Sequence, residues 1–112
     1  MKKVEVITKA FLVEKILNAL KDCDWITGVT ECPVRGCGRQ RGSTEYKPKS
    51  AFRTLPHVKL EFVIPDDKLE DMINLLLDNL PRETGSGKIF VYHCEEAVRI
   101  STRERGEKAI KP

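Results

Sequence analysis

The residues most able to do chemistry lie near the end of the chain, in the stretch TGSGKIF that runs from Thr84 to Phe90. This stretch has the form of the end of a phosphate-binding loop, in which backbone N–H groups surround the phosphates. A Walker-type loop requires a glycine five residues before its Gly-Lys pair and a Ser or Thr after it, but these positions hold Arg82 and Ile89. The Walker motif is therefore absent. What remains is a short glycine loop that ends in Lys88 and leads into a predicted strand, so a phosphate would need further donors.

The four cysteines are the other residues that can bind or react. Cys23, Cys32, Cys37 and Cys94 do not form CxxC pairs, which favours free thiols in a reducing compartment. A zinc site built from Cys32, Cys37, His93 and Cys94 would lack the paired ligand spacing of structural zinc sites. We therefore predict no metal site.

Length and composition indicate one globular domain, residues 1–112. Charged residues are 33% and apolar residues 40% of the 112 positions, which is not a disordered balance. The net charge of +3 comes from well-mixed charges and gives no reason to expect nucleic acid. Charges at Glu5, Lys9 and Glu14 interrupt any signal-peptide core, and no later window is long and apolar enough to span a bilayer. We expect a cytoplasmic protein.

The first half of the chain reads as a strand, a helix and an irregular strand. KKVEVIT alternates as a strand does, and the apolar residues of 11–23 then recur at helical spacing. VTECPVRGCG is a second strand candidate, in which Pro33 favours an edge position. A polar, basic segment without periodicity follows, and we predict a flexible loop at about 39–54.

The second half contains the clearest strand, PHVKLEFVI, in which apolar and polar residues alternate. Asp66 and Asp67 then open a helix, with Glu70 placed for a capping-box contact. The glycine loop, the strand KIFVYHC, a short strand AVRIS and a polar tail at about 103–112 complete the chain.

This order of elements predicts an α+β fold, the ferredoxin-like βαββαβ sandwich with a long loop between strands 2 and 3. Two helices cover one face of the antiparallel sheet. The other face would be bare and would carry Ile7, Val63, Lys59 and Glu61. Such a surface is usually buried by self-association.

Four runs, GCGRQRGSTE, LPHVKLEFVIPDD, TGSGKIF and EEAVRISTRERGEKAI, resemble the nitrogen-regulatory PII signal-transduction proteins in order and in spacing. The resemblance covers almost the whole chain. It implies a cytosolic homotrimer without a prosthetic group that binds ATP or ADP in clefts between subunits and senses 2-oxoglutarate. It also implies a flexible loop that controls a transporter or an enzyme, which would bring the protein to the membrane at a transporter.

The resemblance also implies a set of site residues. The phosphates would lie against Gly85, Ser86, Gly87 and Lys88, with Arg99 reaching in from the C-terminal segment. Gln40 would help to bind magnesium and 2-oxoglutarate. His57 is the second residue implied at the effector site. The remaining nucleotide-binding positions implied are Ile7, Thr30, Gly36, Cys37, Gly38, Arg39, Val63, Phe90 and Arg103.

Three positions depart from the family's pattern. His57 stands in place of a lysine that pairs with 2-oxoglutarate, and imidazole is only partly charged at neutral pH. Ser101 replaces an arginine and Ser86 an aspartate, so we expect ATP to be held less well than ADP or AMP. Arg103, two residues further along a segment that we expect to be extended, would partly compensate. These departures leave two interpretations open, a nitrogen regulator and a sensor of carbon or energy state that responds to ADP, AMP or bicarbonate without 2-oxoglutarate.

The predicted loop is basic and has the composition of a partner-binding segment. Its residues have one negative charge, Glu45, and no tyrosine lies in KPKSAFRTL, so nucleotidylation is not expected. An acidic surface on a membrane transporter or metabolic enzyme would suit it. The loop residues expected to contact that partner are Arg41, Tyr46, Lys47, Lys49, Ser50, Phe52 and Arg53.

Two other classes of function stay open as alternatives to a non-catalytic regulator. A slow nucleotide hydrolase would use His57 or Glu61, but the sequence has no nucleophile–base pair. A nucleic-acid-binding module would have only Tyr46 and Phe52 for base stacking.

Overall fold

The structure is a computed structural model that describes residues 1–39, 46–48, 56–83 and 85–112. Its strands are β1 (Lys2–Lys9), β2 (Thr30–Val34), β3 (Cys37–Arg39), β4 (Tyr46–Pro48), β5 (His57–Ile64) and β6 (Gly87–His93). Its α-helices are α1 (Val13–Leu20) and α2 (Leu69–Asp78), and short 3-10 helices span Ala10–Leu12, Asp66–Lys68 and Gly106–Ile110.

The main sheet has four antiparallel strands in the order β2-β5-β1-β6. This is the predicted ferredoxin-like arrangement, and the prediction of the fold class is confirmed. β2 lies at one edge, as Pro33 indicated, since proline has no backbone N–H to donate and is tolerated where that side of the strand is unpaired. β6 forms the other edge and leads directly out of the glycine loop.

The core lies between the two α-helices and one face of the sheet. Alternate residues of β1 and β5 point inward, as the two-residue period of a strand requires. Ile16 of α1 and Met72 of α2 are fully buried against them, and burying each such side chain stabilises the fold by about 1.5–3 kcal/mol. The buried apolar residues are Val4, Val6, Val13, Ile16, Leu20, Val58, Leu60, Phe62, Ile64, Met72 and Leu76.

The opposite face of the sheet carries the residues expected there, among them Ile7, Lys59, Glu61 and Val63, all of them only half-buried. One Glu61 oxygen accepts hydrogen bonds from Lys59 Nζ at 3.1 Å and Lys3 Nζ at 3.4 Å. The hydrogen bond from Lys59, followed by the charge of Lys3, lowers the pKa of the Glu61 carboxyl. Self-association through this face remains a prediction.

The capping box predicted for α2 is wrong. A 3-10 turn at Asp66–Lys68 precedes the helix, which begins at Leu69 and has no side-chain cap. The Asp66 carboxylate instead accepts from the N-terminal amine at 3.0 Å, which lowers the pKa of that carboxyl. The first helix is likewise shorter than 11–23, because its first turn is 3-10 and its last helical residue is Leu20.

After β2, one predicted strand is wrong, and two segments contain secondary structure that the sequence did not indicate. The segment AVRIS is not a strand: Val98 forms an isolated bridge with Arg105, and the intervening chain is a turn closed by Arg99 N–H donating to the Glu104 carbonyl at 2.9 Å. The tail at 103–112 contains a 3-10 helix. The predicted loop contains β4, which pairs with β3 and so gives the segment a two-stranded base. Among the described residues, no helix has the length and hydropathy needed to cross a membrane.

Candidate functional site

The glycine loop, residues 85–88, has a backbone that only glycine adopts without strain. Gly85 has φ +86° and Gly87 has φ +113°, both in the region that L residues rarely occupy. Gly87 also lies against β1, where a Cβ atom would be 1.8 Å from the carbonyl oxygen of Ile7. The loop therefore follows the end of β1 at a distance that excludes any side chain at Gly87.

Thr8 ties this loop to the sheet. Its side chain is fully buried, and its hydroxyl donates to the Ser86 carbonyl at 2.5 Å. The Ser86 hydroxyl is itself buried and has no hydrogen-bond partner among the described residues. The sequence analysis did not select Thr8. The signal was its place in the alternation, since Thr8 is a polar residue at the next inward-pointing position after Val4 and Val6.

Two ammonium groups flank the loop. Lys88 is exposed at the start of β6, directly opposite Ile7 in the β1–β6 pairing. Lys9, which the sequence analysis also did not select, places Cε 3.7 Å and Nζ 3.9 Å from where a Cβ of Gly85 would stand. A glycine backbone without side chains beside two lysines is suited to an anion, and phosphate and carboxylate groups are anions of this kind.

A cavity of about 820 Å³ opens beside the loop, between α2 and β6. Leu77, Leu80 and Ile89 give it apolar walls, and Ser86 and Lys88 also line it. The loop therefore has an apolar surface on one side and cationic groups around it, which suits an amphipathic ligand with an anionic end.

The other predicted residues near the sheet share its open face. Thr30 pairs with Glu61, Val63 with Lys3, and Phe90 with Glu5, so all three lie on the same face as Ile7 and Lys88. His57 begins β5 opposite Lys9, next to the loop end of the sheet. Gly36 follows β2, and strand pairing places Cys37, Gly38 and Arg39 in β3 and Tyr46 and Lys47 in β4. Gln40, Arg41, Lys49, Ser50, Phe52 and Arg53 lie outside the described residues.

Arg99 and Arg103 are not brought to the loop within one chain. They follow β6, which carries the backbone from Gly87 to the far end of the sheet, about 20 Å away at 3.4 Å per residue. There Cys94 N–H donates to the Met1 carbonyl at 3.0 Å. Arg103 has φ +66° in the turn, so the extended geometry assumed for its compensating role is wrong.

The described residues hold no group of three or more His, Cys, Asp or Glu side chains arranged for a metal ion. Cys23, Cys32 and Cys94 are free thiols, and burial raises the pKa of Cys23. The side chain of Cys32 is exposed on β2 and those of the other two are half-buried.

The sheet, its two helices and the glycine loop define a ferredoxin-like α+β protein with a candidate anion site at one sheet end. Comparison with known proteins is specific: residues 1–104 match the family model described as nitrogen regulatory protein P-II. The chain belongs to the P-II nitrogen regulatory protein family, as its motifs indicated.

Relatives of similar length support this membership. The chain is 42% identical over 113 residues to the nitrogen regulatory protein P-II of Haemophilus influenzae, a match that covers 98% of this chain and 100% of that protein. It is 36% identical over 113 residues to nitrogen regulatory protein P-II 1 of Escherichia coli, with the same coverage. The crystal structure of Arabidopsis thaliana PII bound to citrate is similar, with a TM-score of 0.74, 34% identity, and coverage of 96% of this chain and 90% of that one.

Proposed function

We propose that this protein is a non-catalytic regulator that binds an adenine nucleotide at the glycine loop and transmits its binding state through the segment 39–54. The observation that carries the proposal is the loop itself. Gly85 and Gly87 place no side chain over its backbone, and Lys9 and Lys88 flank it. Nucleotide phosphates match these donors in charge and in geometry.

The opposite positions of the glycine loop and Arg99 support a site built between copies of the chain. Because the two lie at opposite ends of β6, Arg99 of one chain would complete the phosphate site of another. The half-covered open face of the sheet would be buried in the same assembly, which we propose is a homotrimer of about 38 kDa, three times the 12.8 kDa chain.

Mixing two variants tests the shared site. Lys88→Gln and Arg99→Gln should each weaken nucleotide binding about tenfold or more, since each removes a charged hydrogen-bond donor. After equal amounts of the two variant chains are unfolded and refolded together, about a quarter of the sites should be intact. About half of the chains keep Lys88 and the other half keep Arg99, and an intact site needs Lys88 from one chain and Arg99 from its neighbour. Light scattering gives the assembly size. Mixing that restores no binding would exclude a shared site.

The segment 39–54 is the proposed partner-binding element. Arg39 and Lys47 belong to the paired strands β3 and β4, which give the segment a base beside the end of β2. A phosphate bound at the open face would favour one arrangement of this base, and only that arrangement would fit the partner. The chemistry of the segment suits an acidic surface on a membrane transporter or metabolic enzyme, and we place the protein in the cytoplasm.

The identity of the second effector has two candidates. In the first, the protein regulates nitrogen metabolism and magnesium with 2-oxoglutarate strengthens ATP binding. In the second, it reports carbon or energy state through ADP, AMP or bicarbonate. His57, Ser86 and Ser101 favour the second candidate, because the family's pattern places a lysine, an aspartate and an arginine at these three positions. The Arabidopsis relative binds citrate, so a carboxylate anion is a reasonable class of effector for this scaffold.

Calorimetric titration separates these candidates. The protein is titrated with ATP, ADP and AMP, each alone, with magnesium and 2-oxoglutarate, and with bicarbonate. ATP binding that 2-oxoglutarate strengthens supports the nitrogen regulator, whereas ADP or AMP binding that ignores 2-oxoglutarate supports the carbon or energy sensor. Lys21→Gln, an exposed residue after α1, is the control for Lys88→Gln. The absence of binding by all three nucleotides would refute the proposed function.

A further inference from the structure

The guanidinium of Arg99 is held along one of its two edges. Its Nε donates to the carbonyl of Ala109 at 3.3 Å, and its Nη2 donates to the carbonyl of Lys111. Nε–H and the neighbouring Nη2–H form one edge of the planar group, and the edge formed by Nη1 and Nη2 points away from those carbonyls. A guanidinium binds an oxyanion through two parallel N–H groups of one edge. The two carbonyls therefore orient Arg99 and leave a forked edge for an anion.

The segment that supplies these carbonyls is itself fixed at both ends. At its start, Gly106 N–H donates to the Ala97 carbonyl at 2.9 Å and to Glu96 Oε1 at 3.0 Å. The backbone of Gly106 has φ +68°. At its end, the hydroxyl of Thr27 donates to the carbonyl of Ile110, which lies between the two residues that hold Arg99. Thr27 precedes β2, so its hydroxyl fastens the C-terminal 3-10 helix to the body of the domain.

We infer that Thr27 is a positioning residue for an oxyanion contact of Arg99, and that it acts through the C-terminal 3-10 helix (Gly106–Ile110). The inference rests on the proposed function and names the nucleotide phosphate as the oxyanion. An arginine side chain that is ordered before binding loses less rotamer freedom when it meets a phosphate. The hydroxyl of Thr27 therefore increases phosphate affinity although it does not touch the ligand.

The test compares Thr27→Val with Thr27→Ser by calorimetry, with ATP, ADP and adenosine as probes. Valine has the shape of threonine without its donor, and serine keeps the donor. Thr27→Val should weaken ATP and ADP binding about threefold to tenfold, which is the expected cost of ordering one long side chain. Thr27→Ser should bind as the wild type does, and adenosine should bind all three proteins equally because it has no phosphate.

A double-mutant cycle separates positioning from general structural damage. In an Arg99→Lys background, Thr27→Val should weaken ADP binding no further, because the side chain that it positions is gone. Equal ADP affinity of the wild type and Thr27→Val would overturn the inference and leave the proposed function intact. An equal loss for adenosine, or a full additional loss in the Arg99→Lys background, would also overturn it. A wild type that binds neither ATP nor ADP would refute the proposed function and this inference together.

Discussion

The strongest consequence of the structure is a graded response of three glycines to replacement by alanine. A Cβ at Gly87 would stand 1.8 Å from the carbonyl oxygen of Ile7, whereas real Cβ contacts stay beyond 3.0 Å. The two strands must separate by more than 1 Å at that point, and the residue would also hold φ +113°. Gly85 has the same kind of φ, but a Cβ there would meet only the Lys9 side chain at an ordinary contact distance of 3.7 Å, and Gly28 has neither constraint.

The magnitudes follow from these differences. A non-glycine residue at the φ of Gly87 costs about 1–3 kcal/mol, and loss of the terminal β1–β6 hydrogen bond adds about 0.5–1.5 kcal/mol. We expect Gly87→Ala to lower the free energy of unfolding by about 2–4 kcal/mol. Gly85→Ala should cost about 1 kcal/mol from backbone strain alone. Gly28→Ala should be neutral or slightly stabilising, because alanine reduces the freedom of the unfolded chain.

Urea unfolding followed by circular dichroism measures the series. All variants are compared at one chain concentration, because the stability of an oligomer depends on concentration. With a slope of about 1–3 kcal/mol per molar urea, Gly87→Ala should shift the midpoint by about 1–2 M, and Gly28→Ala serves as the control. Equal midpoints for Gly87→Ala and Gly28→Ala would refute the close approach of the loop to β1.

Three further predictions concern the same end of the sheet and its open face. Thr8→Val should lower the free energy of unfolding by about 1–3 kcal/mol, because a carbonyl of the glycine loop loses its donor; an unchanged urea midpoint would contradict this. Lys9→Gln should weaken nucleotide binding most for ATP and least for AMP, while Lys15→Gln on the exposed side of α1 should have no effect. Calorimetry at low and high salt measures both variants. A loss of affinity that does not depend on the number of phosphates would count against a direct charge contact. Glu61→Gln should remove part of the dependence of the free energy of unfolding on acid pH. The pKa of Glu61 in the folded protein lies below its ordinary value of 4.5. The ionised carboxylate therefore stabilises the fold above pH 4.5, and this stabilisation is lost as the pH falls through the folded pKa. Parallel urea midpoints of Glu61→Gln and the wild type from pH 7 to pH 3 would show that this carboxylate contributes nothing.

Local patterns predicted the sheet and its core because burial on one face imposes a two-residue period. The alternation of β5 identified the inward residues, and Pro33 marked β2 as an edge strand before the pairing was known. The capping box and the AVRIS strand failed because each rested on a short pattern that several backbone conformations share. The distant N-terminal amine holds Asp66, whereas AVRIS pairs with a residue only a few positions further along the chain.

The candidate site shows the same division. The glycines and Lys88 were recognisable because a short glycine loop that ends in a lysine has the form of a phosphate-binding loop. Lys9 was read only as a charge that interrupts an apolar run, since its neighbour, the glycine loop, lies more than seventy positions away in the chain. Thr8 was missed because its role depends on a carbonyl at a comparable separation.

The sequence by itself therefore determined the order of elements, the inward face of the central strands and the membership of the P-II family. These properties depend on residue types and on short periods, which the chain carries locally. The tertiary structure decided which loop Thr8 and Lys9 meet, which carbonyls orient Arg99, and that Arg99 lies at the far end of the sheet from Gly87. The contacts of Thr8 and Lys9 depend on strand pairing between distant segments, and those of Arg99 depend on how the chain turns after β6. A local pattern contains neither the strand register nor the path of that turn.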